Sequence, residues 1–303
     1  MRFSSRFLAS FLAAILALAL FAAIAPAKGK FHHRHGHGQR VGRLGKAVAL
    51  KRARALPTAK PRSAATPPAS ESNSDLLFYG DNVSDFAMNQ SAPGAVSEVA
   101  DPAGSGQHAL EMTVDNSDVA PVTPTSDPRA QLLSPSIINN GDEFWWSGKF
   151  FLPVDFPSSV PGWLTVMEGP YGAPFDGTPP WHIEVNGESI QWTRNDTYNY
   201  DVPWQMPLVR NKWIDVVVHE RFAADGWVEM WVNGQQVTFF GSDTYNPSKE
   251  APTTRLSMAT RDHSNDEGPN FTVIQSYRKA NMFSSVSLFQ GPMAIGRTRA
   301  AVE

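Results

Sequence analysis

The clearest strand pattern in the chain spans residues 213–240, WIDVVVHERFAADGWVEMWVNGQQVTFF. Polar and apolar residues alternate at its start, so that Ile214 and Val216 share one face of a strand. The pair Asn233-Gly234 suits a two-residue hairpin turn, because both central positions of a type I′ turn need a positive φ. The stretch therefore predicts antiparallel strands joined by short turns.

The same pattern recurs over the rest of the chain after residue 75. Runs rich in Val, Ile, Phe, Trp and Thr are separated by Pro, Gly, Asn and Asp, and Asn186-Gly187 is a second type I′ turn signal. No helical periodicity of useful length is visible. We predict an all-β chain that folds as one two-sheet antiparallel sandwich over residues 75–299, with a short tail at 300–303. The clearest predicted strands are 144–152, 181–185, 189–194, 213–222, 227–232, 235–240, 255–261 and 282–289.

The charges are divided unevenly along the chain. Its formal charge is −3, yet residues 28–72 hold eleven Lys or Arg and one acid, whereas residues 73–303 hold thirteen Lys or Arg and twenty-eight acids. The predicted sandwich is therefore strongly acidic and repels phosphate, so nucleic acid is excluded as the expected partner. The absence of cysteine excludes disulfides, cysteine-bound metals and a thiol nucleophile.

The first 74 residues have the composition of an export signal followed by a tether. Residues 1–27 combine Arg2 and Arg6 with an apolar run and end in Ala25-Pro26-Ala27, which is typical of a signal peptide. Retention of the run as a membrane anchor is the alternative. Residues 28–74 are rich in Lys, Arg, His, Pro and Ala, which predicts a disordered basic tether able to contact an anionic cell-surface polymer. We expect a bacterial protein that is secreted and extracellular or held at the cell surface.

All nine tryptophans lie in the predicted sandwich. We expect more than half of them in the core and the remainder on an exposed face, where indole rings stack on sugars. An acidic, aromatic and cysteine-free sandwich is typical of a domain that binds carbohydrate.

Several motifs in chain order resemble one family of enzymes. They are residues 144–153, 163–168, 212–219, 225–234, and 277–283 followed by Gly296. Over roughly residues 78–298 they resemble the heparin lyase I-like and glucuronan lyase-like polysaccharide lyases. The resemblance implies a β-jelly roll of the concanavalin A-like lyase type and β-elimination on a uronate-containing polysaccharide.

That reaction needs groups that move protons and groups that neutralise a carboxylate. We expect His182, His219 and Tyr277 to be catalytic, and Arg194 and Lys279 to bind the substrate carboxylate. The full set of expected substrate-binding residues is Glu168, Trp192, Arg194, Asn195, Tyr198, Arg261, Gln275, Arg278 and Lys279.

Two other functions stay open. A catalytically inactive carbohydrate-binding jelly roll is favoured by Phe283, which stands where the resemblance implies a tyrosine, and by Glu168, which repels a carboxylate when ionised. A glycoside hydrolase on a similar sandwich needs paired carboxylates, but the chain lacks the alternating acids of such enzymes.

The expected partner is a polysaccharide, bound by a monomer. We predict no metal site, and Ca²⁺ is the one cofactor considered. Its oxygen ligands would come from the acidic run Asp262, Asn265, Asp266 and Glu267, but the spacing is not that of an EF-hand loop and favours an ordinary solvated acidic turn.

Overall fold

The computed structural model describes residues 74–118, 127–172, 179–196, 199–240, 252–261 and 268–303. The predicted signal peptide, nearly all of the predicted tether, Tyr198 and the acidic run 262–267 lie outside the described residues. The described residues form two antiparallel sheets with strands in the order of a sandwich, which confirms the predicted fold class.

The first sheet has ten strands. They are β1 (Leu76–Gly80), β3 (Val96–Ala100), β4 (His108–Asp115), β6 (Glu143–Phe151), β11 (Trp213–Arg221), β12 (Trp227–Val232), β13 (Gln235–Gln236), β14 (Leu256–Ser257), β16 (Ser285–Gln290) and β17 (Met293–Gly296). The main strand order is β13-β12-β11-β6-β16-β4-β3, with β17 pairing β6 and β1, and β14 pairing β12.

The second sheet has seven strands. They are β2 (Met88–Asn89), β5 (Arg129–Leu133), β7 (Val160–Tyr171), β8 (Trp181–Gly187), β9 (Ser189–Asp196), β10 (Asn199–Pro207) and β15 (Phe271–Arg278). Their order is β10-β9-β8-β7-β15-β5-β2, so strands distant in sequence become neighbours.

The core lies between the inner faces of the two sheets. Alternating apolar residues of both sheets join one cluster, including Ile214 and Val216 of β11. At its centre Trp146 of β6 stacks on Trp181 of β8 with ring centroids 5.6 Å apart, and Trp181 stacks on Trp192 of β9 at 5.7 Å. These three are the only fully buried tryptophans, so the prediction that more than half of the nine lie in the core is wrong. The other six are half-buried.

The two turn signals have different outcomes. Asn233 and Gly234 both have a positive φ, 51° and 77°, and Val232 pairs with Gln235, as predicted. In the other hairpin only Gly187 has a positive φ, and Asn186 pairs with Ser189. The turn is therefore Gly187-Glu188, one residue later than predicted.

The end of the described chain is helical. Residues Arg299–Val302 form a short helix, α1, after the 3₁₀ turn Val83–Asp85 near the start. Val302 packs with Val217 and Ala294 on the outer side of the first sheet, and its carbonyl accepts a 2.6 Å hydrogen bond from Ser147 Oγ. In the part of the chain that the structure describes, no helix is long and apolar enough to cross a bilayer.

Candidate functional site

The face of the seven-stranded sheet that points away from the core carries most of its functional side chains. We call it the polar face. Its members alternate along their strands with core residues, as His182 and Glu184 do with Trp181, Ile183 and Val185. The polar face includes Arg129, Gln131, Thr165, Glu168, His182, Glu184, Gln191, Gln275 and Tyr277. Most of these side chains are buried although they lie outside the core, so the face is recessed.

One line of residues crosses six strands of this face in direct cross-strand register. We call it the long row. In spatial order it is Arg129, Tyr277, Thr165, Glu184, Gln191 and Gln205. At about 4.8 Å per neighbouring strand, the row extends roughly 24 Å. It begins at a cation and ends at an uncharged amide, so its two ends differ chemically.

His182 and Glu184 form a hydrogen-bonded pair on β8. His182 Nε2 lies 3.0 Å from Glu184 Oε2, while the side-chain amides of Gln191 and Asn186 donate to Glu184 Oε1. Burial raises the pKa of Glu184, but these hydrogen bonds outweigh it and the pKa lies below its ordinary value. An ionised carboxylate only accepts, so Nε2 carries a proton and points to Glu184, while Nδ1 is the ring nitrogen that faces away from this carboxylate. Nδ1 makes no hydrogen bond within the described residues.

Tyr277 contacts one aromatic ring and one cation. The Arg129 guanidinium sits 4.0 Å from the Tyr277 ring centroid, and the Trp163 ring packs edge-on at 4.8 Å. Burial raises the pKa of Tyr277; Arg129 opposes the rise, while Asp127 and Glu168 add to it. The phenol therefore keeps its proton at neutral pH and is suited to donate it.

Glu168 lies opposite His182 in the register of β7 and β8 and is 5% exposed. Burial raises the pKa of Glu168, although hydrogen bonds with Gln275 and Tyr171 and the charges of His182 and Arg129 oppose the rise. The protonated form is therefore more accessible than in an ordinary glutamate. A protonated carboxyl donates a hydrogen bond to an anion, which weakens the repulsion expected from an ionised Glu168.

Two glutamines, Gln131 and Gln275, lie beside Glu168 on the polar face. Gln131 Nε2 donates to Gln275 Oε1, and Arg129 Nη1 donates to Gln131 Oε1 at 3.0 Å. Arg129 is thereby held over the face by an amide and by the Tyr277 ring.

The sequence-predicted residues divide between this face and other places. Glu168, His182, Gln275 and Tyr277 lie on the polar face. Asn195, half-buried near the end of β9, follows Thr193 in the alternation, which directs it to the same side. Lys279 is exposed just beyond β15.

Arg194, Trp192 and Arg278 do not reach the polar face. Trp192 is in the core, and Arg194 lies on the same side of β9, 1% exposed. Arg194 Nε and Nη2 donate to both carboxylate oxygens of Asp201 at 2.8 and 2.7 Å. Arg278 is buried on the inner side of β15 and donates to the carbonyl of Val114 on the other sheet at 3.1 Å. Their expected role as substrate ligands is corrected: both arginines are structural, because strand alternation turns them inward.

His219 and Arg261 belong to the first sheet and its loops. His219 on β11 contacts Glu229 through Nδ1 at 2.9 Å and Glu143 through Nε2 at 3.0 Å. It stacks on Trp145 with centroids 3.9 Å apart. The expectation that His219 joins His182 and Tyr277 in one site is therefore not met. Arg261 follows β14, and its backbone N–H donates to the carbonyl of Ala223.

Sequence reasoning did not select Arg129, Gln131, Thr165, Glu184 or Gln191 as site residues. The detectable signal is the short stretch Arg129-Ala130-Gln131-Leu132, in which polar and apolar residues alternate. Phe283, the residue aligned with a tyrosine in the resemblance, packs against the core. Among the described residues, no cluster of three or more His, Asp or Glu side chains is arranged to hold a metal ion.

A family model for polysaccharide lyases matches residues 79–256 of the chain. No curated protein matches the sequence. The fold is similar to the crystal structure of an endo-β-1,4-glucuronan lyase from the fungus Trichoderma reesei, with 18% sequence identity and a TM-score of 0.55 over 75% of this chain and 98% of that chain.

Two further solved structures are more distant. A marine PL-14 alginate lyase from Aplysia kurodai has 11% identity and a TM-score of 0.44, covering 71% of this chain and 93% of its own. The catalytic domain of a glycoside hydrolase family 131 protein from Coprinopsis cinerea has 13% identity and a TM-score of 0.46, covering 73% and 84%. These two similarities are too weak to support an inference, and the likeness to the glucuronan lyase is one of fold.

Proposed function

The chain belongs to the polysaccharide lyase family, and on that premise we propose that it cleaves a uronate-containing polysaccharide by β-elimination on the polar face. The observation that carries the proposal is the presence of His182, Tyr277 and Arg129 on one recessed face. They are a base, an acid and a cation. That the enzyme acts like the heparin lyase I-like or glucuronan lyase-like enzymes, which its sequence motifs resemble, is also part of this proposal.

The chemistry requires two proton transfers. A base removes the proton from the carbon beside the uronate carboxylate, and the released electron pair forms a double bond to the next carbon. The bond from that carbon to the glycosidic oxygen breaks, and the oxygen takes a proton from an acid. After the step the base holds an extra proton and the acid lacks one, so the starting state is restored when the base releases its proton to solvent and the acid takes one from solvent.

His182 and Tyr277 suit these two tasks. His182 presents Nδ1 as the base, because Glu184 holds the other ring nitrogen. Tyr277 presents a protonated phenol as the acid. They lie on β8 and β15, on either side of β7. Tyr277 is opposite Thr165 and His182 is opposite Glu168, so a sugar that covers these two β7 residues has one group on each side.

The neighbouring side chains suit the substrate carboxylate. Removal of a proton beside a carboxylate builds negative charge on it, which needs stabilisation by fixed donors. Arg129 supplies a cation, and Glu168 supplies a hydrogen-bond donor when protonated. Arg129 takes the role that the sequence suggested for Arg194.

The test is a panel of polysaccharides built from glucuronate, mannuronate, guluronate, galacturonate or iduronate. Wild-type protein is expected to raise the ultraviolet absorbance of the unsaturated uronate product on at least one of them. Tyr277→Phe keeps the ring contacts with Arg129 and Trp163 but removes the hydroxyl group that donates the proton, so the rate should fall about 10²- to 10⁴-fold. Tyr79→Phe, at a half-exposed tyrosine of the first sheet, is the matched control.

Two outcomes would count against the enzyme. If no polysaccharide gives an absorbance change while the protein is retained on uronate gels, the inactive carbohydrate-binding alternative replaces it. If Tyr277→Phe retains the full rate, the assignment of the acid is wrong.

We also propose that the protein is exported and that residues 28–74 hold it at an anionic surface. The supporting observations are the signal-like composition of residues 1–27 and the excess of ten positive charges in residues 28–72. The mass of the mature protein from the culture medium tests cleavage after Ala27. Salt extraction of cells carrying the full chain or a 28–74 deletion tests the tether, which is refuted if both are released at the same salt concentration.

A further inference from the structure

A groove of about 590 Å³ lies at one edge of the sandwich, away from His182. It opens between β10 of the seven-stranded sheet and the β12–β13 hairpin of the other sheet. The described residues that line it carry no charge, although the surrounding domain is strongly acidic. The lining residues that matter here are Trp204, Gln205, Gln235, Gln236 and Phe240.

The side chains of the groove combine apolar rings with unused amides. Phe240 is 56% exposed and Trp204 is half-buried. Gln205, Gln235 and Gln236 are exposed, and within the described residues their side-chain amides make no hydrogen bond to another side chain. Each amide offers two donors and an acceptor, which match sugar hydroxyls, while ring faces match the apolar C–H face of a sugar. The absence of charge matches an uncharged sugar better than a uronate.

The groove is held in shape before any ligand binds. The backbone N–H of Phe240 donates to the carbonyl of Pro203 at 2.7 Å, which ties β10 to the segment after β13. On the other side, the Asn233-Gly234 turn fixes the β12–β13 hairpin. A preformed groove loses little conformational entropy on binding.

The groove is continuous with the polar face. Gln205, one of its lining residues, is the last member of the long row, next to Gln191 and Glu184. From β8, which carries His182, to β10 is two strand spacings, about 10 Å. A chain that lies along the row passes from Arg129 over Tyr277, then beside His182, and on into the groove.

We propose that this groove is a binding site for uncharged sugar residues of a glycan. Binding there stands apart from β-elimination, since the groove holds a neutral glycan whether or not the polar face cleaves one. Only the corollary, that the cleaved polysaccharide carries uncharged residues on the groove side of the cut, rests on the proposed function.

Affinity electrophoresis of the full chain in native gels tests the site. The gels contain hydroxyethyl cellulose, glucomannan or arabinoxylan, neutral polymers that the basic residues 28–74 do not attract by charge. Retardation is expected in at least one gel. Phe240→Ala and Gln236→Ala should each weaken it about tenfold, the size of a single well-placed contact.

Matched controls separate the groove from the rest of the surface. Tyr79→Ala removes an equally exposed ring and Gln107→Ala an exposed amide, both outside the groove, and neither should change retardation. His182→Ala should also leave it unchanged. Circular dichroism of each variant verifies that it is folded.

Three results would overturn the proposal. They are no retardation in any neutral gel, retardation that Phe240→Ala and Gln236→Ala do not alter, and retardation that His182→Ala abolishes. Lyase assays on the same samples distinguish the two proposals. Retardation that depends on the groove in a protein inactive on every uronate polymer would refute the proposed function alone, and lyase activity without retardation would refute the groove alone.

Discussion

His182 and His219 both lie within strands and beside carboxylates, one on each sheet. His182 meets one carboxylate, Glu184, through one ring nitrogen. His219 meets Glu229 and Glu143 through both nitrogens and is covered by the Trp145 ring. Both ring nitrogens of His219 therefore face carboxylates, and neither is open to take a proton from a substrate.

The difference shows that the number of acceptors around the ring, and not its neighbours in sequence, decides what a histidine can do. On the polar face a single acceptor orients the His182 ring and leaves its other nitrogen open, as the proposed base requires. On the outer side of the first sheet two acceptors turn the same side chain into a structural cross-link among β6, β11 and β12. Three experiments test or extend that contrast, from the largest expected effect to the smallest, and a fourth tests a carboxyl buried between the two sheets.

Replacement of each histidine by asparagine gives the most direct contrast. We expect His182→Asn to lower the rate of β-elimination about 10²- to 10⁴-fold, because the base is removed. His219→Asn should keep the rate and lower the melting temperature, because Glu143 and Glu229 lose their shared donor. Initial rates by ultraviolet absorbance and thermal melts check both. Equal loss of activity in the two variants of intact fold would abolish the contrast.

The arginines extend the contrast to cations. Arg194→Met leaves Asp201 as a buried charge without its bidentate partner, so stability should fall by about 3–5 kcal/mol. Arg129→Met removes a half-buried cation from the polar face, and we expect a raised KM for uronate polymer with a smaller change in stability. Urea unfolding and steady-state kinetics measure the two effects. An unchanged KM in Arg129→Met would remove Arg129 from the site.

Glu184→Gln tests whether the single carboxylate positions His182. The neutral amide of the glutamine is a weaker acceptor for the His182 Nε2 proton than the ionised carboxylate of Glu184. We therefore expect kcat to fall about 10- to 100-fold with little change in KM. The pH dependence of kcat should also move, which a purely structural loss would not cause. Glu229→Gln, at the carboxylate beside His219, is the control and should leave the pH profile in place.

Glu220→Gln tests a carboxyl that lies between the two sheets. Glu220 is fully buried on β11, its Oε2 accepts a 3.1 Å hydrogen bond from Trp181 Nε1, and burial raises its pKa well above the ordinary value of 4.5. The folded state then holds a proton that the unfolded state releases above about pH 4.5. The contribution of Glu220 to the free energy of unfolding of the wild type is therefore greatest below that pH, and it decreases as the pH rises toward the pKa of Glu220 in the folded state.

Glutamine carries no such titration. The melting temperature of Glu220→Gln relative to wild type should therefore increase between pH 5 and pH 8, by about 2–4 °C for each kcal/mol. Calorimetry at several pH values measures it. A difference that is constant with pH would mean that Glu220 titrates alike in the folded and unfolded states.

Much of the first sheet was predictable from sequence, and the second sheet less so. Strands β6, β11 and β12 alternate cleanly because one side packs on the core, and Asn233-Gly234 fixes their turn. Strands β7 and β15 are buried on both sides, so their sequences lack clear alternation and were not predicted. Strand β5 does alternate, but it is only five residues long and was also not predicted. The longest predicted runs at the edge, 235–240 and 255–261, shrink to two-residue strands at β13 and β14.

The residues of the candidate site were predictable only in part, for a similar reason. His182, Tyr277, Gln275 and Glu168 were chosen from residue type, and the alternation of β8 was readable. Arg129 was missed because it reaches Tyr277 only through the pairing of β5 with β15, strands separated by more than a hundred residues. Arg194 was chosen wrongly because neighbouring residues of β9 point to opposite faces of the sheet, and Arg194 points to the inner face, where it forms a buried ion pair. A single sequence does not reveal which face an arginine occupies.

The stack of Trp146, Trp181 and Trp192 gives the protein an optical signal of its own. Trp146 comes from one sheet and the other two from the facing sheet, and the rings are close enough for their electronic transitions to couple. Near-ultraviolet circular dichroism of this trio therefore reports whether the two sheets remain packed. Trp181 directly precedes His182, so a variant that keeps this spectrum but loses turnover has lost chemistry and not architecture.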